Sequence, residues 1–393
     1  MNAEEARKAA DSVYRYVERT AIRTPGACRW PTLDYENQPR TDLACVFNGA
    51  AGIALFLTDY AATANHPSAL EMAGDALRWS ESTGTGIGPS LCFGRAGIGW
   101  GWLQWWRAAG TPEGLDRALA LGRECAEHAT DPGEWGTCTD MIGGVAGTAE
   151  FLLALAAATN DDIWLERAVG LGEWLDRVKV ETESGTAWTM RVDRDDKRVF
   201  WGAAHGSAGI VRFLAGLYRA TRDGRWRALA EEAGVALERA GVGIHGGLNW
   251  PRGPGMPELK SQWCHGAPGV GLAFTALFEA TNDQRWLGVA GRAGRATLGY
   301  GDLRKNPSWC HGVAGNTEIL VELFRLTGDE RWMKDALAFG GLALRYRMDD
   351  GTGDTWQGDE PGKPSPDFMC GASGAGHVFL RLATESRLPM ALP

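Results

Sequence analysis

The chain has 393 residues, of which 44% are apolar, and it carries a net charge of -9 with a pI near 5.4. This length and apolar content support a large core, while the acidic balance, with no run of Lys or Arg, excludes a typical nucleic-acid-binding surface. The eight cysteines lack the dense spacing of a disulfide scaffold, the first ten residues contain no apolar signal region, and no apolar run reaches about 18 residues. We therefore expect a cytoplasmic protein without transmembrane segments.

A short turn of the form Gly-x-x-Gly, followed by an apolar segment, occurs seven times along the chain. The glycine pairs are Gly49/Gly52, Gly94/Gly97, Gly144/Gly147, Gly206/Gly209, Gly266/Gly269, Gly312/Gly315 and Gly371/Gly374. They recur at intervals of roughly 45 to 62 residues, and a period of this length holds two helices with their connections.

An amphipathic segment precedes each glycine turn, with apolar residues at helical spacing and charged residues on the other face. These segments are Ala3–Thr20, Ser68–Glu81, Pro112–His128, Asp162–Val178, Gly224–Ala240, Gln284–Leu298 and Glu330–Arg347. The segments after the glycines, such as Ile53–Tyr60, Ile98–Ala108, Thr148–Ala158 and Ile210–Ala220, are apolar nearly all round and are expected to be buried.

Four of the amphipathic segments share a start signal in which an Asp precedes a Trp by three residues. The pairs are Asp161/Trp164, Asp223/Trp226, Asp283/Trp286 and Asp329/Trp332. Since Asp is a favoured N-cap residue, we expect it to cap the helix while the Trp anchors the first turn in the core.

Alternation of polar-faced and buried helices predicts an all-α fold of the α/α-toroid class. Residues 1–393 would form one domain, with seven outer helices around seven inner helices that line a central cavity. An open solenoid would use the same alternation. One segment, Thr186–Trp201, is predicted as a β-hairpin, and two insertions rich in Gly and Pro, Gly241–Gln262 and Asp349–Phe368, are predicted as loops.

Two of the seven turns carry the tetrapeptide Trp-Cys-His-Gly, at residues 263–266 and 309–312. In a closed ring their cysteines, Cys264 and Cys310, would face each other at neighbouring helix starts. With His311 or His265 they offer two sulfurs and an imidazole nitrogen, which zinc prefers, and leave a fourth position for water or substrate. The alternative is that the cysteines are small buried apolar residues beside a capping histidine.

Other turns contain further candidate residues. His205 precedes the glycine of the fourth turn, one position from the place that Cys264 and Cys310 take in theirs. A histidine before a helix is often only a capping or packing residue, but this placement makes His205 a candidate for function. Asp140, in the third turn, is its candidate partner, although a carboxylate also suits a helix N-terminus. Cys370, in the seventh turn, is expected to lie in register with Cys264 and Cys310 and is an alternative metal ligand.

With these motifs the chain resembles the lanthionine synthetase C-like family, the cyclases of lanthipeptide biosynthesis and their eukaryotic relatives. The resemblance runs through all seven glycine turns and is most specific in Trp-Cys-His-Gly-Ala-Pro-Gly and Ser-Trp-Cys-His-Gly-Val-Ala-Gly, at residues 263–269 and 308–315. It implies that the zinc ligands are Cys264, Cys310 and His311, that the catalytic histidine is His205, and that the active-site aspartate is Asp140.

Two residues depart from the pattern of the bacterial cyclases. Lys260 stands four residues before the first zinc cysteine, where those cyclases often have Arg, so the positive charge is kept but the bidentate guanidinium is lost. His265 is closer to the eukaryotic form than to the usual Cys-Tyr-Gly of the bacterial enzymes.

The resemblance implies a zinc-dependent cyclase that adds a peptide Cys thiol to dehydroalanine or dehydrobutyrine, giving lanthionine or methyllanthionine. Its substrate would be a dehydrated precursor peptide, prepared by a dehydratase or a kinase and lyase partner. His205 would protonate the enolate, Asp140 would orient the imidazole, and Lys260 would stabilise the enolate oxygen. Two alternatives remain open. One is a zinc-containing thiol-binding or glutathione-binding protein without turnover, and the other is a carbohydrate-active α/α-toroid hydrolase or epimerase, which needs paired inward acids or histidines.

Overall fold

The computed structural model describes residues 1–83, 88–128, 137–195, 197–301 and 306–393, and fourteen α-helices lie within them. In chain order the helices are α1 (Ala3–Thr20), α2 (Ala50–Ala64), α3 (Pro67–Thr83), α4 (Arg95–Ala109), α5 (Pro112–His128), α6 (Val145–Thr159), α7 (Asp162–Val178), α8 (Ser207–Thr221), α9 (Gly224–Ala240), α10 (Ala267–Thr281), α11 (Gln284–Tyr300), α12 (Val313–Thr327), α13 (Glu330–Gly340) and α14 (Ala372–Ala383). The odd-numbered helices are amphipathic and the even-numbered ones are mostly buried. The predicted alternation is therefore confirmed.

The even-numbered helices start from the seven glycine turns. In every turn the first glycine is the N-cap residue, so the helix begins three residues earlier than the sequence predicted. The second glycine lies in the first helical turn, and a carbonyl of the preceding loop packs against it at Gly52, Gly147, Gly209, Gly269 and Gly374. A Cβ atom on Gly209 would lie 2.3 Å from the Ala203 oxygen, and one on Gly269 would lie 1.8 Å from the Trp263 oxygen. A side chain at either position would push the turn away from its helix.

The prediction that an Asp caps the N-terminus of four amphipathic helices is confirmed. In each, an Asp carboxylate accepts a hydrogen bond of 2.9 to 3.1 Å from the backbone N–H two residues later. The tryptophans Trp164, Trp226 and Trp286 are buried as expected. The expectation is wrong for Trp332, which is only half-buried.

Small antiparallel hairpins are inserted between the helices, and the six that lie within the described ranges are all two-stranded. They pair β1 (Ile22–Thr24) with β2 (Ala27–Arg29), β3 (Thr32–Leu33) with β4 (Pro39–Arg40), β5 (Val180–Thr182) with β6 (Gly185–Ala187), β7 (Val242–Ile244) with β8 (Gly247–Asn249), β9 (Pro251–Gly253) with β10 (Met256–Leu259), and β11 (Arg347–Asp349) with β12 (Asp354–Trp356).

The bounds of several predicted elements differ from those in the structure. The hairpin predicted at 186–201 is confirmed only in part. An antiparallel bridge joins Thr189 to Val199 and the Met190 N–H donates to the Arg198 carbonyl at 3.1 Å, but the paired strands β5 and β6 lie just before this segment, at 180–187. Both insertions predicted as loops contain hairpin strands, β7 to β10 and β12. The helix predicted to run to Arg347 ends at Gly340 and continues as a 3-10 helix over Gly341–Tyr346. These strands are only two to four residues long, too short to show an alternating pattern.

The described helices group into two compact units. The first holds the described residues of 1–87, 93–119 and 301–393. Within it the buried helices α12, α14, α2 and α4 pack side by side in that order. The last buried helix, α14, also packs against the first amphipathic helix, α1, so the two ends of the helical series meet within this unit.

The second unit holds the described residues of 88–92 and 120–300. Its buried helices α6, α8 and α10 pack side by side, and each pairs with the amphipathic helix that follows it, α7, α9 or α11. Hairpin strands β6 and β8 pack on α9 and α11. The prediction that residues 1–393 form one domain stays a prediction.

Backbone hydrogen bonds link successive glycine turns within each unit. The residue two places before the N-cap glycine donates its N–H to the carbonyl of the equivalent residue in the next turn. In the second unit these bonds run from Cys92 to Ile142, from Ile142 to Ala204 and from Ala204 to Cys264, at 2.9, 3.3 and 3.4 Å. In the first unit they run from Cys310 to Met369 and from Met369 to Phe47, at 2.8 and 3.0 Å. Each turn therefore positions the next one.

Among the described residues, no helix combines the length and apolar character needed to cross a membrane.

A half-buried carboxylate in the second unit predicts a pH-dependent stability. Burial raises the pKa of Glu150 on α6 to about 7 from a reference value of 4.5, and the charges of Arg212 and Arg219 oppose this shift only in part. Because the folded-state pKa is raised, the contribution of Glu150 to the free energy of unfolding is fully present below about pH 4.5 and is lost as the pH rises through about 7. We expect Glu150→Gln to leave the melting temperature unchanged near pH 4 and to raise the free energy of unfolding by roughly 1–3 kcal/mol near pH 8.

Thermal denaturation of both proteins across this pH range checks the prediction. The exposed Glu166 on α7 supplies the control, Glu166→Gln, for which no pH-dependent difference is expected. A difference between Glu150→Gln and the parent chain that stays constant with pH would contradict the assignment.

Candidate active site

One Trp-Cys-His-Gly sequence forms the turn before α12 in the first unit. Cys310 is buried with 2% of its surface exposed, and its N–H donates to the Met369 carbonyl at 2.8 Å. Trp309 donates its indole N–H to the Glu318 carboxylate on α12 at 3.1 Å, which fixes the residue before the thiol. Ser308 accepts the His311 N–H at 3.2 Å on its hydroxyl oxygen, and this contact tightens the turn. The backbone of Cys310 is thus held by the next turn, and the backbone of His311 is held by a side chain of its own turn.

An acidic residue that the sequence analysis did not single out holds the imidazole of this turn. The Asp359 carboxylate hydrogen-bonds to Nδ1 of His311. A carboxylate on one ring nitrogen fixes the orientation of the ring and leaves Nε2 as the nitrogen available to a metal ion. Asp359 lies 48 residues downstream, in the insertion predicted as a loop, so spacing along the chain gave no signal for this contact.

The other Trp-Cys-His-Gly sequence forms the turn before α10 in the second unit. Cys264 is 4% exposed, and its Sγ lies 3.8 Å from Oε1 of Gln262. Its N-cap glycine, Gly266, has a φ of +119°, unlike the other six N-cap glycines, and a Cβ atom there would lie 1.8 Å from the Lys260 oxygen. A side chain at position 266 is therefore excluded by both backbone conformation and space.

A carboxylate and an imidazole meet in the second unit as the sequence predicted. Asp140 Oδ2 hydrogen-bonds to Nδ1 of His205 at 2.8 Å, while its Oδ1 accepts the Gly143 N–H at 2.7 Å. The Asp140 side chain is almost fully buried, whereas 40% of the His205 side chain is exposed. The carboxylate therefore anchors the imidazole, and the imidazole is the member of the pair that solvent or substrate reaches.

The positions of the histidines and cysteines relative to the N-cap glycines differ in one respect from those predicted from the sequence. His205, His265, His311 and Cys370 all occupy the position immediately before an N-cap glycine, whereas Cys264 and Cys310 lie one residue earlier. His205 is therefore equivalent to the two other histidines. Cys370 is also equivalent to the histidines, so placing it in register with Cys310 was wrong.

His265, the alternative third ligand, is closely enclosed. It is 9% exposed, its Nδ1 has no hydrogen-bond partner within the described part of the chain, and its ring centre lies 6.0 Å from that of His205. Burial, together with the nearby charges of His205, Arg252 and Lys260, lowers the pKa of His265 to about 4 although Cys264 opposes the shift. His265 is therefore a neutral imidazole near pH 7.

Lys260 is half-buried directly after β10, in the same unit as Asp140 and His205. The structure therefore brings Asp140 and His205 into contact and holds Cys310 and His311 in one turn. The grouping of Cys264 with those two ligands, and the reach of Lys260 to a substrate oxygen, stay predictions.

Comparison with known proteins identifies the family to which the chain belongs. The model of the family described as lanthionine synthetase C-like protein matches residues 43–392, and the chain belongs to this family. Among solved structures, nisin cyclase is similar with a TM-score of 0.71 and 17% sequence identity, over 95% of this chain and 93% of that chain. The all-α fold is thus of the α/α-toroid class predicted from the sequence, and it is similar to the fold of nisin cyclase.

Sugar-acting enzymes are similar in fold as well. A cellobiose 2-epimerase from Bacillus thermoamylovorans matches with a TM-score of 0.53 and 11% identity, over 98% of this chain and 99% of that chain. An α-1,6-mannanase from Salegentibacter sp. matches with a TM-score of 0.54 and 13% identity, over 96% and 98%. At these identities the likeness concerns the fold alone.

Proposed function

We propose that this chain is a zinc-dependent lanthipeptide cyclase that adds the Cys thiols of a dehydrated precursor peptide to dehydroalanine or dehydrobutyrine. The observation that carries the proposal is the pair formed by Asp140 and His205, in which a buried carboxylate holds Nδ1 of a solvent-accessible imidazole at 2.8 Å. This arrangement presents Nε2 for proton transfer to a substrate. Membership of the lanthionine synthetase C-like family supports the same reaction.

The metal ligands we propose are Cys264, Cys310 and His311. Two buried thiols and an imidazole are donors that suit zinc, and the bond from Nδ1 of His311 to Asp359 leaves Nε2 for the ion, as metal-binding histidines require. A zinc ion bound there would supply the positive charge that lowers the pKa of a substrate thiol from about 8.5 and favours its thiolate near pH 7.

The proposed reaction is an addition that conserves all atoms. The substrate sulfur forms a bond to the β-carbon of the dehydro residue, and the alkene electron pair moves to give an enolate. Lys260 stabilises the enolate oxygen by its charge. His205 then delivers a proton to the α-carbon, which replaces the proton lost by the thiol, while Asp140 keeps the ring oriented. The product is a thioether with the same mass as the dehydrated peptide.

The reaction requires a partner enzyme that makes the dehydro residues, a dehydratase or a kinase and lyase. We place the cyclase in the cytoplasm. The eight cysteines all lie within the described residues and form no disulfide, which is in keeping with that reducing compartment. As a single domain, residues 1–393 would carry the complete site.

Replacing both cysteines tests the metal centre. We expect the parent chain to bind one zinc ion and the Cys264→Ala, Cys310→Ala double variant to bind none, because the variant lacks two of the three proposed ligands. Elemental analysis of purified proteins after dialysis gives the ratio of metal to chain.

A matched control for this test is a double variant of two buried cysteines outside the proposed ligand set, Cys28→Ala and Cys125→Ala. It is expected to keep its zinc. Zinc at full occupancy in the Cys264→Ala, Cys310→Ala variant would disprove the proposed ligand set.

A further inference from the structure

Cys370 differs from the structural cysteines of the chain in its surroundings. Cys28, Cys92 and Cys125 are at most 1% exposed and behave as small apolar residues of the core. Cys370 is only half-buried and lines a cavity of about 310 Å³ together with His311, Asp359, Asp367 and Asn48. A thiol in this polar setting gains little from apolar packing.

Three different metal-binding groups converge at this cavity. The Cys370 sulfur, a ring nitrogen of His311 and a carboxylate oxygen of Asp359 all lie within 4.8 Å of one another. Sulfur and imidazole are donors that zinc prefers, and these groups all belong to the first unit.

Backbone contacts hold the thiol at this place. The Cys370 N–H donates to the Asp367 carboxylate at 2.8 Å, and the Cys370 carbonyl accepts the Asp359 N–H at 2.8 Å. The Asp359 carboxylate in turn holds His311, and its Oδ1 is buried without a hydrogen-bond partner among the described residues. The turn before α14 and the turn that carries His311 are therefore fixed with respect to each other.

We propose that Cys370 supplies an additional sulfur ligand to the zinc bound by His311, and occupies in the substrate-free protein the position that the substrate thiol takes during catalysis. The inference rests on the proposed zinc site and adds a residue that the family motif does not contain. Substrate binding then becomes a ligand exchange. The substrate thiol loses its proton as it binds the metal, and the released Cys370 thiolate takes up one proton.

Cobalt substitution tests this assignment without any measure of activity. The protein is reconstituted with Co²⁺ in place of zinc, and the sulfur-to-cobalt charge-transfer absorption in the near ultraviolet is measured per bound ion. We expect Cys370→Ser to bind one ion and to lose about one third of this absorption, since two sulfur ligands remain of three. The control is Cys45→Ser, a half-buried cysteine near the first turn of the same unit, whose absorption is expected to equal that of the parent chain.

A second measurement follows the released thiol. Iodoacetamide labelling of Cys370, read by peptide mass spectrometry, is expected to accelerate when a Cys-containing peptide is added to the zinc-loaded protein. Equal charge-transfer absorption in Cys370→Ser and the parent chain, with one ion bound to each, would overturn the role of Cys370 and leave the zinc site intact. A parent chain that binds neither metal would overturn the zinc site and this inference together.

Discussion

Replacing His205 with alanine is expected to slow cyclisation of a dehydrated, Cys-containing peptide by about 10²–10⁴-fold, the range that general acid catalysis contributes. The imidazole is held by Asp140 at 2.8 Å and is the exposed member of that pair, so its loss removes the proton donor without opening the core. Zinc should remain at one ion per chain, because His205 is outside the proposed ligand set. Rates are measured by quenching with an alkylating reagent and counting the remaining thiols by mass spectrometry.

The matched control is His245→Ala, a change at an exposed histidine in the same unit, between β7 and β8. This variant should cyclise the peptide at the parental rate. If His205→Ala consumed thiols as fast as the control, His205 would not be the proton donor. Loss of zinc from His205→Ala would instead indicate that the histidine is a ligand.

Replacing Arg381 with methionine is expected to lower the free energy of unfolding by about 3–5 kcal/mol, the usual cost of breaking a buried ion pair from one side. The Arg381 guanidinium on α14 is fully buried and contacts two carboxylates of α12, Glu318 and Glu322, the second at 2.5 Å. Burial disfavours its charge, but the attraction of both carboxylates raises its pKa overall. Methionine would remove the arginine partner of the fully buried Glu318, while Glu322 would keep its ion pair with Arg325 at 2.7 Å.

Urea denaturation of the parent chain and the variant measures this loss. Arg331, whose side chain is 87% exposed and which pairs with Asp329, supplies the control Arg331→Met, for which little change is expected. A loss in Arg381→Met no larger than in this control would refute the structural role of the buried pair. Because Glu318 also accepts the Trp309 indole N–H, the same variant should disturb the turn that carries Cys310.

Much of the fold was predictable because its signals are local. An Asp at a helix N-terminus accepts a hydrogen bond from the backbone N–H two residues later, and this contact depends only on neighbouring residues. The glycine pairs likewise mark places where backbone segments approach closely, whatever the rest of the chain does. The short hairpins were missed or misplaced because two to four residues cannot show a strand period, and their pairing depends on the helices beneath them. The half-buried Trp332 shows that an anchoring residue in the sequence does not determine how closely neighbours cover it.

The site residues that lie in the repeated glycine turns were predictable from the sequence. The pairing of Asp140 with His205, 65 residues apart, followed from equivalent turns and the family resemblance, and the structure confirms the contact. The contact of Asp359 with His311 was not predictable, since an insertion of irregular sequence brings the carboxylate to the turn. Cys370 was assigned to the wrong register because its own turn lacks the tryptophan that marks the other two.

The central claim is that the zinc-loaded chain catalyses thioether formation, and one measurement tests it most directly. The parent protein is incubated with dehydrated peptides that contain cysteine, and free thiols are counted by alkylation and mass spectrometry against a sample without enzyme. Our account predicts that alkylated species disappear while the mass of the unlabelled peptide stays the same, as an intramolecular addition requires. Thiols that persist in the presence of zinc-loaded enzyme with every dehydrated peptide tried would contradict it and would indicate a thiol-binding protein without turnover.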